Sequence, residues 1–290
     1  MVHDAGHDAG QSAAADGDPE RTPRSGPRVG RTAAFFDLDK TIIATSSATA
    51  FSRGFLAEGL LTRRNVLRTA VAQFLYLVGG ADEVQTERLR ANLSRTVAGW
   101  PVSQVSQVVA ETLHQAIDPT VYAEAVALIE EHHAAGHDVV IVSASGSEIV
   151  EPIAAVLGAD HVVATRMQVV EGRYTGEIDF YAYGENKAVA IRDLADRHGY
   201  DLAASFADSD SITDAPMLAA VGHGFAVNPD RTLRRAALEQ GWGTLTFRRP
   251  VPLFDFDREA RVTTGVLVGL AVAAGVAWWT VRRVRRARAA

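Results

Sequence analysis

Two carboxylates stand two residues apart in Asp37-Leu38-Asp39-Lys40-Thr41, directly after the apolar run Ala33-Ala34-Phe35-Phe36. In an extended segment, residues i and i+2 point to the same side. Asp37 and Asp39 therefore converge on one small volume where a buried strand ends, the place where open α/β sheets bind their ligands. Two like charges held together inside a fold are costly unless a cation or a shared proton relieves them. A divalent metal with a phosphate would supply that relief.

The rest of the chain carries the pattern of an α/β fold. Apolar runs with strand character at 138–142, 161–164, 203–207, 223–227 and 243–247 are separated by helical patterns such as 122–135 and 186–198. That order predicts a parallel sheet with crossover helices. The second of these helical patterns stops at Gly199. Glu171-Gly172-Arg173 lies between two alternating runs, Thr165–Val170 and Tyr174–Phe180, and predicts a hairpin. Residues 46–120 break the alternation and read as helices at 48–58, 63–78, 82–97 and 103–115, separated by Gly59, Gly79-Gly80 and Gly99-Trp100-Pro101. An insertion directly after the first strand would sit over the carboxylate pair as a lid.

Three later features complete a constellation. Ser143 closes the apolar run Val139–Val142, and Ala144-Ser145-Gly146-Ser147 leads into a helix, whose free N–H groups suit a phosphate. Lys187 opens the helix that follows Tyr183-Gly184-Glu185-Asn186. The string Phe206-Ala207-Asp208-Ser209-Asp210-Ser211-Ile212-Thr213-Asp214 places three carboxylates past another strand end. Hard oxygen donors in such number suit Mg2+, which also keeps several of its waters.

These four motifs, in this order, resemble the haloacid dehalogenase-like superfamily of phosphohydrolases over residues 33–250. The helical insertion after the first motif resembles its phosphoserine-phosphatase-like branch. The resemblance implies a Rossmann-like parallel sheet (residues 31–45 and 121–250) with a helical cap at 46–120. It implies Asp37 as nucleophile and Asp39 as the acid/base. It implies Mg2+ held by the Asp37 carboxylate, the Asp39 carbonyl and Asp210, with Asp214 supporting it. Ser143, the Ala144 amide, Thr41 and Lys187 are implied around the phosphoryl oxygens. A spacing of four to the second acid favours Asp210 over Asp208 as the ligand, with Asp208 either at a position that need not be acidic or a secondary metal neighbour. Asp39-Lys40-Thr41 also echoes the phosphorylated loop of P-type ion pumps, but the chain continues Ile42-Ile43 and holds at most one apolar span.

One departure bears on specificity. Where phosphoserine phosphatases of this branch carry a Glu that meets the substrate ammonium, the matching stretch Ala44-Thr45-Ser46-Ser47 has no acid. The insertion instead carries Arg53, Arg63, Arg64, Arg68, Arg88, Arg90 and Arg95, read as solvated faces from which one or two could attract an anion. Asp82, Glu83 and Glu87 are expected on helix surfaces, and His132-His133 on a solvated face.

Composition narrows the partners. A net charge of −6 argues against nucleic acid, and the absence of Cys removes disulfides, thiolate catalysis and Cys-ligated zinc. Residues 1–30, rich in Ala, Gly, Asp, Pro and Arg, read as a disordered tail without a signal-peptide core, so His3 and His7 are expected to be solvated. After a linker at 251–261, Val262–Val281 holds no charged residue. As a C-terminal hydrophobic helix it would span roughly 30 Å, a bilayer core, with Trp278 and Trp279 near one boundary. Gly265 and Gly269 offer a small-residue spacing for a homodimer. The arginines of the basic tail 282–290 favour a cytoplasmic C-terminus, while the lack of an export signal favours a cytoplasmic catalytic domain, so orientation stays open. The expected activity is Mg2+-dependent hydrolysis of a phosphorylated lipid or small metabolite. The alternatives are a phosphotransferase using the same residues and a membrane-tethered phosphate-binding module without turnover.

Overall fold

The computed structural model describes residues 30–61, 91, 94–248 and 250. Strand β1 (Ala33–Phe36) is apolar throughout and buried at every position, as a strand covered on both faces must be. It is central in a seven-stranded sheet of order β4-β3-β2-β1-β5-β6-β7. The partners are β2 (Asp138–Gly146), β3 (His161–Val170), β4 (Arg173–Phe180), β5 (Phe206–Ser209), β6 (His223–Val227) and β7 (Gly243–Leu245). All pairings are parallel except β3 with β4, the expected hairpin. The order reverses at β1, which opens a crevice past its carboxyl end.

Helices α1 (Ser47–Ala50), α2 (Ser52–Ala57), α3 (Val102–Ile117), α4 (Ala123–Ala134), α5 (Ser147–Val156), α6 (Glu185–His198), α7 (Ala215–Ala219) and α8 (Arg231–Gln240) surround the sheet. Ala34, Phe36, Val139 and Ile141 pack with residues of α3, α4 and α5 on one face. Ala33, Phe35, Val140 and Val142 pack with residues of α6, α7 and α8 on the other. Helix α3 offers Val105, Val108, Val109, Leu113 and Ile117, a stripe at helical spacing, to the first layer. Gly54 lets α2 lie against it: a side chain there would meet Val108 and Thr112 at 2.8 and 3.2 Å.

Several elements differ from the sequence expectation. The expected helix 48–58 is divided at Phe51. The run at 161–164 is continuous with the first arm of the hairpin. The run at 203–207 starts as a 3-10 turn, because the Asp201 side chain accepts from the Ala203 N–H, and β5 begins only where Phe206 pairs with Ala34 and His223. Helix α8 was not anticipated, although Asp230 caps its start and Gly241, in the left-handed conformation, ends it. His132 is buried rather than solvated, packed edge-on against Phe36 at 5.8 Å. Among the described residues no helix is long and apolar enough to cross a membrane. The stretches 1–29, 63–78, most of 82–97, and 251–290, with Gly265 and Gly269, lie outside the described residues.

Ile141, fully buried on β2 and in register with Phe36, tests this core. Ile141→Ala should lower the unfolding free energy by about 2–5 kcal/mol in urea denaturation. A loss below about 1 kcal/mol would place Ile141 outside a packed layer.

Candidate active site

Backbone pairing continues past β1, where the Asp37 N–H donates to the Asp208 carbonyl at 2.9 Å. The chain then doubles back, with the Ile42 and Ile43 N–H groups both donating to the Leu38 carbonyl (3.0 and 3.1 Å). Lys40 takes up the reversal at φ 63°, a left-handed conformation that costs a side-chain-bearing residue about 1–2 kcal/mol. This turn brings Thr41 back beside Asp37.

The centre of the site is a buried ammonium. Lys187 Nζ, near the start of α6, donates to Asp37 Oδ1 at 2.6 Å and to Asp214 Oδ2 at 2.7 Å. Lys187 and Asp214 are each 2% exposed. Asp214 Oδ2 also accepts the Ser209 hydroxyl at 2.7 Å. Burial alone would pull Lys187 down, but Asp214 and Asp37 reverse this and hold it above the usual lysine range. Thr41 Oγ1 lies 3.2 Å from Asp37 Oδ2 and 3.4 Å from Asp210 Oδ1, and accepts the Asp210 N–H at 3.0 Å. Asp39 accepts the Ser47 N–H on Oδ1 (2.9 Å) and the Ser145 hydroxyl on Oδ2 (3.2 Å).

The carboxylates outnumber their cations. Burial raises Asp37 to about 8, against the pull of Lys187 and with added repulsion from Asp214 and Asp210. Burial likewise raises Asp210 to about 6, with Lys40 opposing and Asp214 adding to it. Asp39 is raised by burial and partly restored by hydrogen bonds from Ser47 and Ser145. Such a surplus of hard, poorly compensated oxygens fits a divalent cation of the magnesium type. Among the described residues no three acidic or imidazole side chains enclose an ion by themselves. The donor set that fits is therefore two carboxylates, Asp37 and Asp210, completed by a backbone carbonyl and waters. Asp214 Oδ2 is already engaged by Lys187 and Ser209.

Asp37, Thr41, Lys187, Asp210 and Asp214 thus form one bonded cluster, whereas the Asp39 carboxyl is bonded to Ser47 and Ser145. Ser143 is buried at the end of the apolar part of β2 and accepts the Ser145 N–H at 3.2 Å. The Ala144 carbonyl is held by the Thr165 hydroxyl at 2.7 Å. Asp208 stays outside: it is in register with Phe36 and Phe225, 1% exposed, and neither of its carboxylate oxygens has a hydrogen-bond partner.

The chain is similar to known proteins. The haloacid dehalogenase-like hydrolase model matches residues 34–219. The chain is 58% identical over 261 residues to the inhibition of morphological differentiation protein of Streptomyces azureus, covering 87% of this chain and 94% of that one. It is 55% identical over 257 residues to a probable phosphatase of Mycobacterium tuberculosis (87% and 90% covered). To a phosphoserine phosphatase of the same organism it is 34% identical over 218 residues (74% and 71% covered). The chain belongs to the haloacid dehalogenase-like hydrolases. In fold this hydrolase also matches a phosphoserine phosphatase solved as a phospho-aspartyl intermediate analogue, with a TM-score of 0.55, 20% identity, and 76% and 95% of the two chains covered.

The sequence reading of the hydrolase missed Ser47, Ser145, Thr165 and Ser209 as parts of the site. For Ser209 a signal existed, since strand alternation sets it opposite Asp208, on the side of Ala207. The other three come from the first residue of α1, the end of β2 and β3, and spacing along the chain carries no mark of that.

The unpaired Asp208 gives a pH test. Burial raises it to about 8, far above its unfolded value. Protonated in both states at low pH, it costs nothing through ionisation; between roughly pH 4 and 8 only the unfolded chain ionises, so stability is lost as pH rises. Asp208→Val should therefore stabilise the protein, by about 2 kcal/mol or more at pH 8 beyond its effect at pH 5 in denaturant titrations. A pH-independent difference would mean that Asp208 ionises normally.

Proposed function

We propose that this chain is a Mg2+-dependent phosphomonoester phosphatase in which Asp37 carries the phosphoryl group. The observation that supports this most directly is the Asp37 carboxylate at the switch point of the sheet, with Lys187 Nζ 2.6 Å away and a second carboxyl, Asp39, two residues on. In the first step an Asp37 oxygen attacks phosphorus, the bond to the ester oxygen breaks, and Asp39 gives that oxygen its proton. In the second, Asp39 takes a proton from water, the water oxygen attacks phosphorus, and the Asp37–phosphorus bond breaks to release inorganic phosphate. Lys187, Ser143 and the Ala144 amide would hold the phosphoryl oxygens. The Asp37 and Asp210 carboxylates and the Asp39 carbonyl would hold the metal, with Asp214 behind them. When bound, Mg2+ offsets the repulsion between the anionic nucleophile and the phosphate dianion.

The raised Asp37 supports the same reading. A nucleophile must be ionised, and a nearby divalent cation would restore the carboxylate that burial disfavours. Asp37→Asn should abolish release of phosphate, and excess EDTA should do so reversibly with Mg2+ added back. Full turnover in EDTA, or by the variant, would overturn the reading.

We further propose a phosphorylated lipid as the substrate class, reached from a membrane-held position. Ser46, at the position of the missing acid, is occupied in capping α1: its hydroxyl accepts the Thr49 N–H at 3.2 Å. The last described residue is Pro250. Pro250 bridges to Tyr122, and the Tyr122 N–H donates to the Ile42 carbonyl at 2.9 Å, four residues past Leu38. The apolar stretch 262–281 begins a dozen residues later, a reach of roughly 40 Å at most. A panel of phosphoserine, lysophosphatidate and phosphatidylglycerol phosphate should show strong preference for the lipids. Deleting 262–290 should release the protein from membranes while sparing turnover of soluble esters. Preference for phosphoserine, or continued membrane binding by the truncated chain, would refute the lipid reading or the anchor in turn.

A further inference from the structure

Asp39 is held at both oxygens, and the two grips come from segments far apart in the chain. The Ser47 N–H donates to Oδ1 at 2.9 Å, and the Ser145 hydroxyl donates to Oδ2 at 3.2 Å. The two serine hydroxyls are themselves 2.7 Å apart. A hydroxyl has one proton to give. When Ser145 spends its proton on Asp39, Ser47 is left to donate to Ser145, so the two hydroxyls and the carboxylate form one linked group, with the Ser47 side chain also acting on Asp39 directly.

Each serine is fixed for this task. Ser47 is fully buried at the first residue of α1, and Ser46, not Ser47, caps that helix. Ser145 lies near the end of β2, where its N–H donates to Ser143 Oγ at 3.2 Å. Local helix or turn chemistry therefore does not account for the contact between the two hydroxyls.

We infer that Ser145 is a positioning residue for proton delivery: it sets the rotamer of the Asp39 carboxyl, and Ser47 holds the Ser145 hydroxyl in line. The inference rests on Asp39 acting as the acid/base. A carboxyl turns about two side-chain bonds and must lie within hydrogen-bond reach of the leaving oxygen to be useful. Binding one oxygen to the start of the inserted segment and the other to β2 removes that freedom before substrate arrives. Proton delivery is thereby tied to how residues 46–50 seat on the end of β2.

The test exploits leaving groups. An alkyl phosphate needs its departing oxygen protonated, whereas p-nitrophenyl phosphate releases a stable phenolate and needs little help. Ser145→Ala should lower kcat on an alkyl phosphate about 30-fold and on p-nitrophenyl phosphate about 3-fold, with KM little changed, a part of the roughly 10²–10⁴-fold that proton transfer contributes. Ser145→Thr, which restores the hydroxyl, should recover most of the alkyl rate. Ser47→Ala should show the same selectivity more weakly, and serves if Ser145→Ala does not fold. Equal losses on both esters, a change confined to KM, or no rescue by threonine would overturn the inference. Asp39→Asn, run alongside, separates the two levels. If it too fails to discriminate between the esters, the acid/base assignment itself falls; if it discriminates and Ser145→Ala does not, only the role of Ser145 is lost.

Discussion

The ammonium of Lys187, buried between Asp37 and Asp214 at 2.6 and 2.7 Å, is the contact on which the rest of the site depends. It joins the end of β1, the start of α6 and the segment after β5, none of them adjacent in sequence. Removing one partner from such a buried pair typically costs about 3–5 kcal/mol, because the remaining charge is left without compensation. The desolvation cost of burying the pair is offset by geometry: Asp214 is braced by Ser209 and Asp37 by Thr41. An apolar substitute could be as stable but could not hold a carboxylate where chemistry needs it.

Lys187 compensates too little for the whole cluster to be at rest. Asp37 and Asp210 sit well above the usual carboxylate range, chiefly through burial. A site left electrostatically hungry in this way favours a cation and a group that cation can orient. Asp208 differs. Its penalty comes from burial alone, with no partner and no bond to the cluster. Its main-chain carbonyl, which receives the Asp37 N–H, is the part that serves the site.

The motifs were legible because each lies where local pattern is strongest. Apolar runs ending at Asp37 and at the 208–210 carboxylates marked strand ends, and β1 and β6 fell close to their expected limits, whereas β2 continues past Ser143 to Gly146. Where local hydrogen bonding competes with pairing, pattern alone does not set the strand's start: at Leu202–Ala204 the Asp201 side chain favours a turn. His132 was misread because two neighbouring histidines on a polar helix suggest water. The face on which His132 lies is decided by how α4 seats over Phe36 and Phe206.

The gathering of the distant motifs was implied by their resemblance to the haloacid dehalogenase-like hydrolases, while residue order alone gave the α/β class and the strand ends at which carboxylates stand. These follow from periodicities of two and 3.6, which a chain displays before it folds. Only the folded chain decided which hydroxyl reaches which oxygen: Thr41 to Asp37 and Asp210, Ser145 to Asp39, Ser209 to Asp214. It also left Asp208 alone while drawing Asp210 in. Such pairings depend on loop paths and strand register, and a shift of one residue sends a side chain to the other face of the sheet.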